Sequence, residues 1–182
     1  RITAIVVEYN PFHNGHRYHI EKARELTRPD VLIAIMSGNW TQRGEPAVCD
    51  KWERSRFVLD YGVDLVVELP FLHATQYAPE IANAAIRIAS LLGATDLVFG
   101  SEINNLEELK EIADMSFDPN RFRENMEAGY SYPNSYGYLA KAYGPNDILG
   151  IAYLQAIKNT SIQPHCIRRT TVFHGSDLSN NC

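Results

Sequence analysis

Two imidazoles three residues apart, His13 and His16, stand in the stretch Val6-Val7-Glu8-Tyr9-Asn10-Pro11-Phe12-His13-Asn14-Gly15-His16-Arg17-Tyr18-His19. Histidines at such a spacing can donate hydrogen bonds to phosphate oxygens whose charge grows during displacement at phosphorus. Gly15 carries no side chain to hold a phosphate away from the backbone. The stretch contains no lysine, and the chain contains no Walker-type glycine loop, so the histidines and the backbone must supply the anion contacts. A plain alternative is a strand-turn-helix corner whose histidines are surface residues. A metal reading also follows from the three-residue repeat of His13, His16 and His19. However, His13 precedes the expected helix, and no carboxylate or cysteine stands at a spacing that would complete a zinc site, so no metal site is expected.

The flanking residues predict how this stretch is held. The apolar run Ile2–Val7, with Thr3 inside it, reads as a buried strand of a parallel sheet. Pro11 pushes Asn10 toward an extended conformation, so no helix begins before it. From Gly15 onward the pattern turns helical, with Tyr18, Ala23 and Leu26 available for a core-facing stripe. A helix N-terminus at this junction presents free backbone N–H groups and a partial positive charge to an anion.

The rest of the chain alternates in the same manner. Strands are expected over residues 31–36, 65–69, 97–99 and 164–169. A helix over 51–61 stops at Gly62, with Trp52, Ser55, Val58 and Leu59 as its apolar side and Lys51, Arg54 and Arg56 toward solvent. A second helix starts with Pro79 at its first position and runs to Gly93, its buried stripe marked by Ile81, Ala84, Ala85, Ile88 and Leu92. Asn146 is expected to cap a helix over 147–158. Strand-helix alternation predicts an α/β fold, a Rossmann-like doubly wound parallel sheet of five strands. Its C-terminal edge would receive Gly100 and the pair Arg168-Arg169, suited to close approach and to bidentate phosphate contacts respectively. Turn glycine and solvated arginines are the plainer readings.

Two regions depart from the alternation. Residues 37–50 form a long polar loop with Asn39, Trp40, Thr41, Gln42, Arg43 and Glu45, a set fit for a polar ligand or for an ordinary surface lid. A helical insertion is expected at about 104–145, with short helices over 106–115 and 119–128. Its tyrosines, Tyr130, Tyr132, Tyr136, Tyr138 and Tyr143, are read first as packing and second as base-stacking platforms.

The 182 residues are 45% hydrophobic, enough for the core of a single domain. Seventeen basic and 22 acidic residues leave a net charge of −5, which does not mark a general nucleic-acid binder. Cys49, Cys166 and Cys182 form no CxxC pair and are odd in number, favouring a reducing, cytoplasmic setting. No apolar segment reaches the roughly 20 residues of a membrane span. The chain starts at Arg1 and stops at Cys182 after a polar stretch, and is expected to be a piece of a longer protein.

Tyr9-Asn10-Pro11-Phe12-His13-Asn14-Gly15-His16 resembles the HxGH signature of the nucleotidyltransferase superfamily, whose members attack the α-phosphate of ATP and release pyrophosphate. Many members carry glycine where Val7 stands and aspartate where Asn10 stands, which points away from the cofactor-making branches. Residues 6–19, 36–47, 98–102 and 146–150 together resemble the bacterial tRNA(Met) cytidine acetate ligase family, over nearly the whole chain. That resemblance implies activation of acetate with ATP, then acetyl transfer to N4 of the wobble cytidine of elongator tRNA(Met). It implies ATP contacts from Val6 through His19 and from Gly100, Asn146 and Arg169, catalytic roles for His13 and His16, and magnesium accompanying ATP. Family members follow the paired basic residues with a Ser-Ala-Thr-type helix start. Here His174 is present but that start is not, so the C-terminal part of the family is expected to be missing. An adenylyltransferase acting on a phosphorylated small molecule, and a non-catalytic nucleotide- or RNA-binding module, are the competing readings.

Overall fold

The computed structural model describes residues 1–114 and 143–169. Its elements are β1 (Ile2–Val7), α1 (Asn14–Thr27), β2 (Val31–Ser37), α2 (Lys51–Asp60), β3 (Leu65–Leu69), α3 (Phe71–Ala74), α4 (Ala78–Leu91), β4 (Asp96–Ser101), α5 (Leu106–Asp114), α6 (Pro145–Ala156) and β5 (Gln163–Arg168). All strand pairs are parallel and the order across the sheet is β3-β2-β1-β4-β5. The expected five-stranded α/β fold is therefore present. The predicted helix over 119–128, the tyrosines at 130, 132, 136 and 138, and His174 lie outside the described residues.

Burial on both faces explains the continuous apolar strands. Ala4, Ile33, Ile35, Leu97 and Phe99 share one core with α4, α5 and α6, while Ile5, Leu32, Ala34 and Val98 share the other with Ile20, Ala23 and Val58 of α1 and α2. The chain winds β1 to β3 outward in one direction, then returns to lay β4 on the other side of β1. That reversal is the switch point where open α/β sheets bind ligands. Pairing of β1 with β4 covers Thr3–Asp96 and Ala4–Leu97. Farther along, β1 continues to pair with β2 as far as Val7–Met36, and β4 with β5 as far as Ser101–Arg168. The two central strands thus part toward their C-terminal ends.

Several local expectations are corrected. In α2 the buried residues are Arg54 and Val58, while Trp52 is 73% exposed and Leu59 is also exposed. The helix presents its guanidinium, not its indole, to the sheet, because strand-end carbonyls wait there for a donor. Leu26 is likewise exposed. In α4 the stripe of Ile81 and Ala85 extends through Ala82, Ile86 and Ala89, with Ala84, Ile88 and Leu92 only half-buried. The N-cap of α6 is Gly144, so Asn146 lies inside the first turn. The four-residue α3 after Pro70 had no counterpart in the sequence reading.

Candidate active site

The strand ends open into a cleft of about 330 Å³. One wall comes from the β1–α1 junction: Val6, Val7, Glu8, Tyr9, Asn10, His13, Gly15, His16, Tyr18 and His19. The opposite wall holds Gly100, Asn146, Ile167, Arg168 and Arg169. Four residues of the predicted set lie off the cleft. Phe12 stacks on Tyr61 at 4.9 Å, Arg17 pairs with Glu21 at 2.7 Å, and Pro11 and Asn14 are not in the lining.

The two histidines cap their own helix. His13 is the N-cap, and its Nδ1 accepts the Gly15 N–H at 3.0 Å. His16, three residues on, returns the bond: its Nδ1 accepts the His13 N–H at 3.3 Å. This is a capping box built from imidazoles in place of the usual hydroxyl and carboxylate. The rings stack with centroids 3.6 Å apart. Because both Nδ1 atoms are acceptors, each neutral ring carries its proton on Nε2. Burial lowers the pKa of both, and the positive charge of Arg169 adds to the effect; His16, the more enclosed ring, lies well below the ordinary histidine range. Both are therefore neutral near pH 7 and act as oriented N–H donors at a helix N-terminus.

His19 has a different task. Its Nε2 donates to the carbonyl of Val98 at 3.2 Å, just beyond the last β1–β4 pair, and burial pulls its pKa down to about 4. It bridges α1 to β4 where the central strands part. Tyr9, in the left-handed region at φ 54°, is buried with its ring 4.4 Å from that of His16.

Arg54 organises the rim. Its Nη1 donates to the carbonyls of Glu8 (2.6 Å) and Ser37 (3.2 Å), Nη2 to that of Gly38, and Nε to that of Cys49 (3.1 Å). One side chain thus joins the ends of β1 and β2 to the loop that follows β2. Two more bonds fasten that loop to the signature: Gln42 N–H to Glu8 Oε2 (2.8 Å) and Val48 N–H to Asn10 Oδ1 (2.7 Å). The long polar loop is accordingly a wall of the cleft, entering it through Ser37 and Gln42.

On the far wall, the Glu102 carboxylate accepts N–H bonds from Asn146 and Asp147 and caps α6; Asn146 Nδ2 also donates to it at 2.6 Å. Asp147, fully buried, accepts Ser101 Oγ at 2.5 Å and the N–H of Glu102 at 3.0 Å, locking α6 to the end of β4. Burial pushes the Asp147 carboxyl up, opposed by the Ser101 bond. Arg169 continues β5 by donating its N–H to Ser101 O at 3.0 Å. A Cβ on Gly100 would stand 3.3 Å from Arg169 Cγ, so glycine lets the arginine stem lie against the strand. Sequence reasoning missed Arg54 and the apolar contributors Leu69, Ala74, Ile81 and Tyr153, none of which carries a local motif.

A helix terminus with two neutral Nε2–H donors, faced by an arginine across a strand gap, is equipped to stabilise charge on a phosphate. The family model for HIGH Nucleotidyl Transferase matches residues 1–181. The chain belongs to the HIGH nucleotidyltransferase family. This HIGH nucleotidyltransferase is 42% identical over 183 residues to a tRNA(Met) cytidine acetate ligase of Caldicellulosiruptor bescii, covering 93% of this chain and 46% of that protein. It is 38% identical to the protein of that name from Fusobacterium nucleatum, over 99% of this chain and 47% of the relative. A crystal structure of Thermotoga maritima TmcAL bound with alpha-thio ATP superposes with a TM-score of 0.83 at 41% identity, over 97% of this chain and 48% of that one. The chain spans about half the length of the relatives it matches.

Proposed function

We propose that this chain is the ATP-binding, adenylate-forming part of a tRNA(Met) cytidine acetate ligase. The observation that carries the reading is the reciprocal His13–His16 cap, with both rings in the cleft at the switch point. The 38–42% identity to ligases of that name, and the likeness to TmcAL bound with alpha-thio ATP, support the choice of reaction.

In this reading a carboxylate oxygen of acetate attacks the α-phosphorus of ATP, and the bond to pyrophosphate breaks as the new O–P bond forms. The Nε2–H groups of His13 and His16, with the backbone N–H groups of the α1 N-terminus, take up the charge growing on the α-phosphate oxygens. Arg169 holds the departing phosphates. Gly100 and Asn146 face the adenosine, Asn146 offering its amide oxygen while Glu102 engages its Nδ2. In the second step N4 of the wobble cytidine attacks the acetyl carbonyl, and AMP leaves. Magnesium enters as the partner of the ATP phosphates; among the described residues no three His, Cys, Asp or Glu side chains cluster to hold an ion of their own. We assign the reaction to the cytoplasm, where its tRNA resides; among the described residues no helix is long and apolar enough to cross a membrane.

The test is transfer of labelled acetate to elongator tRNA(Met) by the full-length protein with ATP. Label in this tRNA, but not in one whose wobble cytidine is replaced by uridine, is the expected result. ATP binding without pyrophosphate release would favour the binding-module reading instead.

A further inference from the structure

Among the described residues three buried side-chain hydroxyls have no hydrogen-bond partner: those of Tyr9, Ser37 and Tyr153. All three residues line the cleft. An unpaired buried hydroxyl is costly and uncommon, and three at one site call for an explanation.

Two of them lie on the same side of the sheet. Strand alternation puts Ser37 on the face of Ile33 and Ile35, whose core is shared with α4 and α6. Tyr153 belongs to that core, its ring 5.9 Å from that of Phe99. Ser37 and Leu69 are register partners at the ends of β2 and β3. Between Ser37 and Tyr153 the cleft wall is apolar, formed by Val6, Leu69, Ala74 and Ile81. His16 and Tyr9 pack on the opposite face, with α1. The cleft therefore has a donor-rich, cationic side and an apolar side bearing two neutral hydroxyls, and they meet at the end of β1.

We infer that the apolar side, bounded by Ser37, Leu69, Ile81 and Tyr153, is the subsite for the carboxylate substrate and takes a short-chain monocarboxylate. The inference rests on the function proposed above. The alkyl end lies on Val6, Leu69 and Ile81. One carboxylate oxygen accepts from the Ser37 and Tyr153 hydroxyls, while the other attacks the α-phosphorus as the bond to pyrophosphate breaks. Neutral donors suit this task, because an arginine or lysine there would hold the nucleophile's charge too tightly. The same wall disfavours dicarboxylates, since it offers no cation to a second charge.

The test compares the full-length wild type with Ser37→Ala, Tyr153→Phe and Ile81→Ala, using pyrophosphate release with acetate, propionate and malonate, ATP affinity, and thermal midpoint. Ser37→Ala and Tyr153→Phe should each raise the KM for acetate about tenfold or more, the usual effect of losing a hydrogen bond to a charged group. ATP affinity should stay within about twofold, and the midpoint should not fall, because each variant deletes a hydroxyl that has no partner in the protein. Ile81→Ala should shift the propionate-to-acetate ratio of kcat/KM upward by about tenfold, the worth of one methylene. An unchanged acetate KM in both hydroxyl variants, with wild type active, would overturn the subsite and leave the function standing. A fall in midpoint and ATP affinity together with the KM effect would make the hydroxyls structural and also overturn it. Wild type that binds ATP but releases no pyrophosphate with any monocarboxylate would overturn the proposed function and the subsite with it.

Discussion

Replacing Arg54 by methionine tests how the rim of the cleft is held. Arg54 is 1% exposed and bonds four carbonyls from β1, β2 and the following loop. Methionine fills much of the same volume but leaves the Glu8, Ser37 and Gly38 carbonyls without their donor. At roughly 1–3 kcal/mol for each orphaned group the gross loss is about 3–9 kcal/mol. Removing a charge that burial disfavours returns part of this, and the net expectation is about 3–5 kcal/mol, the range for breaking a buried ionic network. Because the same guanidinium aligns the loop with the signature, ATP affinity should also fall in protein that remains folded. Urea unfolding gives the stability difference from the midpoint at constant slope, and nucleotide titration at low temperature gives the affinity. Arg54→Lys should recover little, since an ammonium cannot span carbonyls that a fork reaches together. A loss below about 1 kcal/mol for Arg54→Met would refute the reasoning.

Other outcomes follow from the same geometry. Gly150→Ala should destabilise by about 1–3 kcal/mol through overpacking, because its Cβ would stand 2.6 Å from Phe99 Cε2; a denaturant midpoint checks it. Gly100→Ala should weaken ATP binding several-fold with little change in stability, since the new Cβ at 3.3 Å from Arg169 Cγ only nudges that side chain; calorimetric titration reads this directly. Stability should fall as pH drops from about 6.5 toward 4. His19 titrates near 4 when folded and His16 well below its ordinary value, so the unfolded chain binds more protons across that window. For His19 alone the loss is about 2 kcal/mol, less than the full shift implies because the ring keeps some exposure. Thermal midpoints against pH, shallower in His19→Gln, would show it.

The parts of this molecule that are legible in sequence are those with local causes. Ile2–Val7 and Val31–Ser37 read as strands because both faces are buried and the runs are apolar throughout. The histidine spacing and Gly15 mark a helix start because capping acts over three residues. Gly62, at φ +99°, ends α2 as a glycine should. What was illegible depends on partners far away in the chain. Arg54 reads as a solvent-facing basic residue until Glu8, 46 positions earlier, and the end of β2 bring their carbonyls to it. Asn146 reads as an N-cap until Glu102, 44 positions earlier, takes over the helix start and frees Gly144 for the cap position. Trp52 reads as core because indoles usually are, yet the sheet surface under α2 is polar at that point. The loop over 37–50 stands out as unusual, but its bonds to Glu8 and Asn10 are visible only in the fold. Likewise, no pattern announces that Ser37 and Tyr153 share one wall.

The central claim is that acetate oxygen meets the α-phosphorus at the His13–His16 cap. It is tested most directly by running the full reaction with tRNA(Met) and acetate labelled with oxygen-18 at both carboxylate positions, then weighing the AMP released. Attack by acetate at the α-phosphorus followed by aminolysis at the acetyl carbon leaves one labelled oxygen in AMP, and His16→Ala should reduce labelled AMP by about 100-fold or more. Unlabelled AMP, label in ADP or inorganic phosphate, or an undiminished yield from His16→Ala would contradict the account.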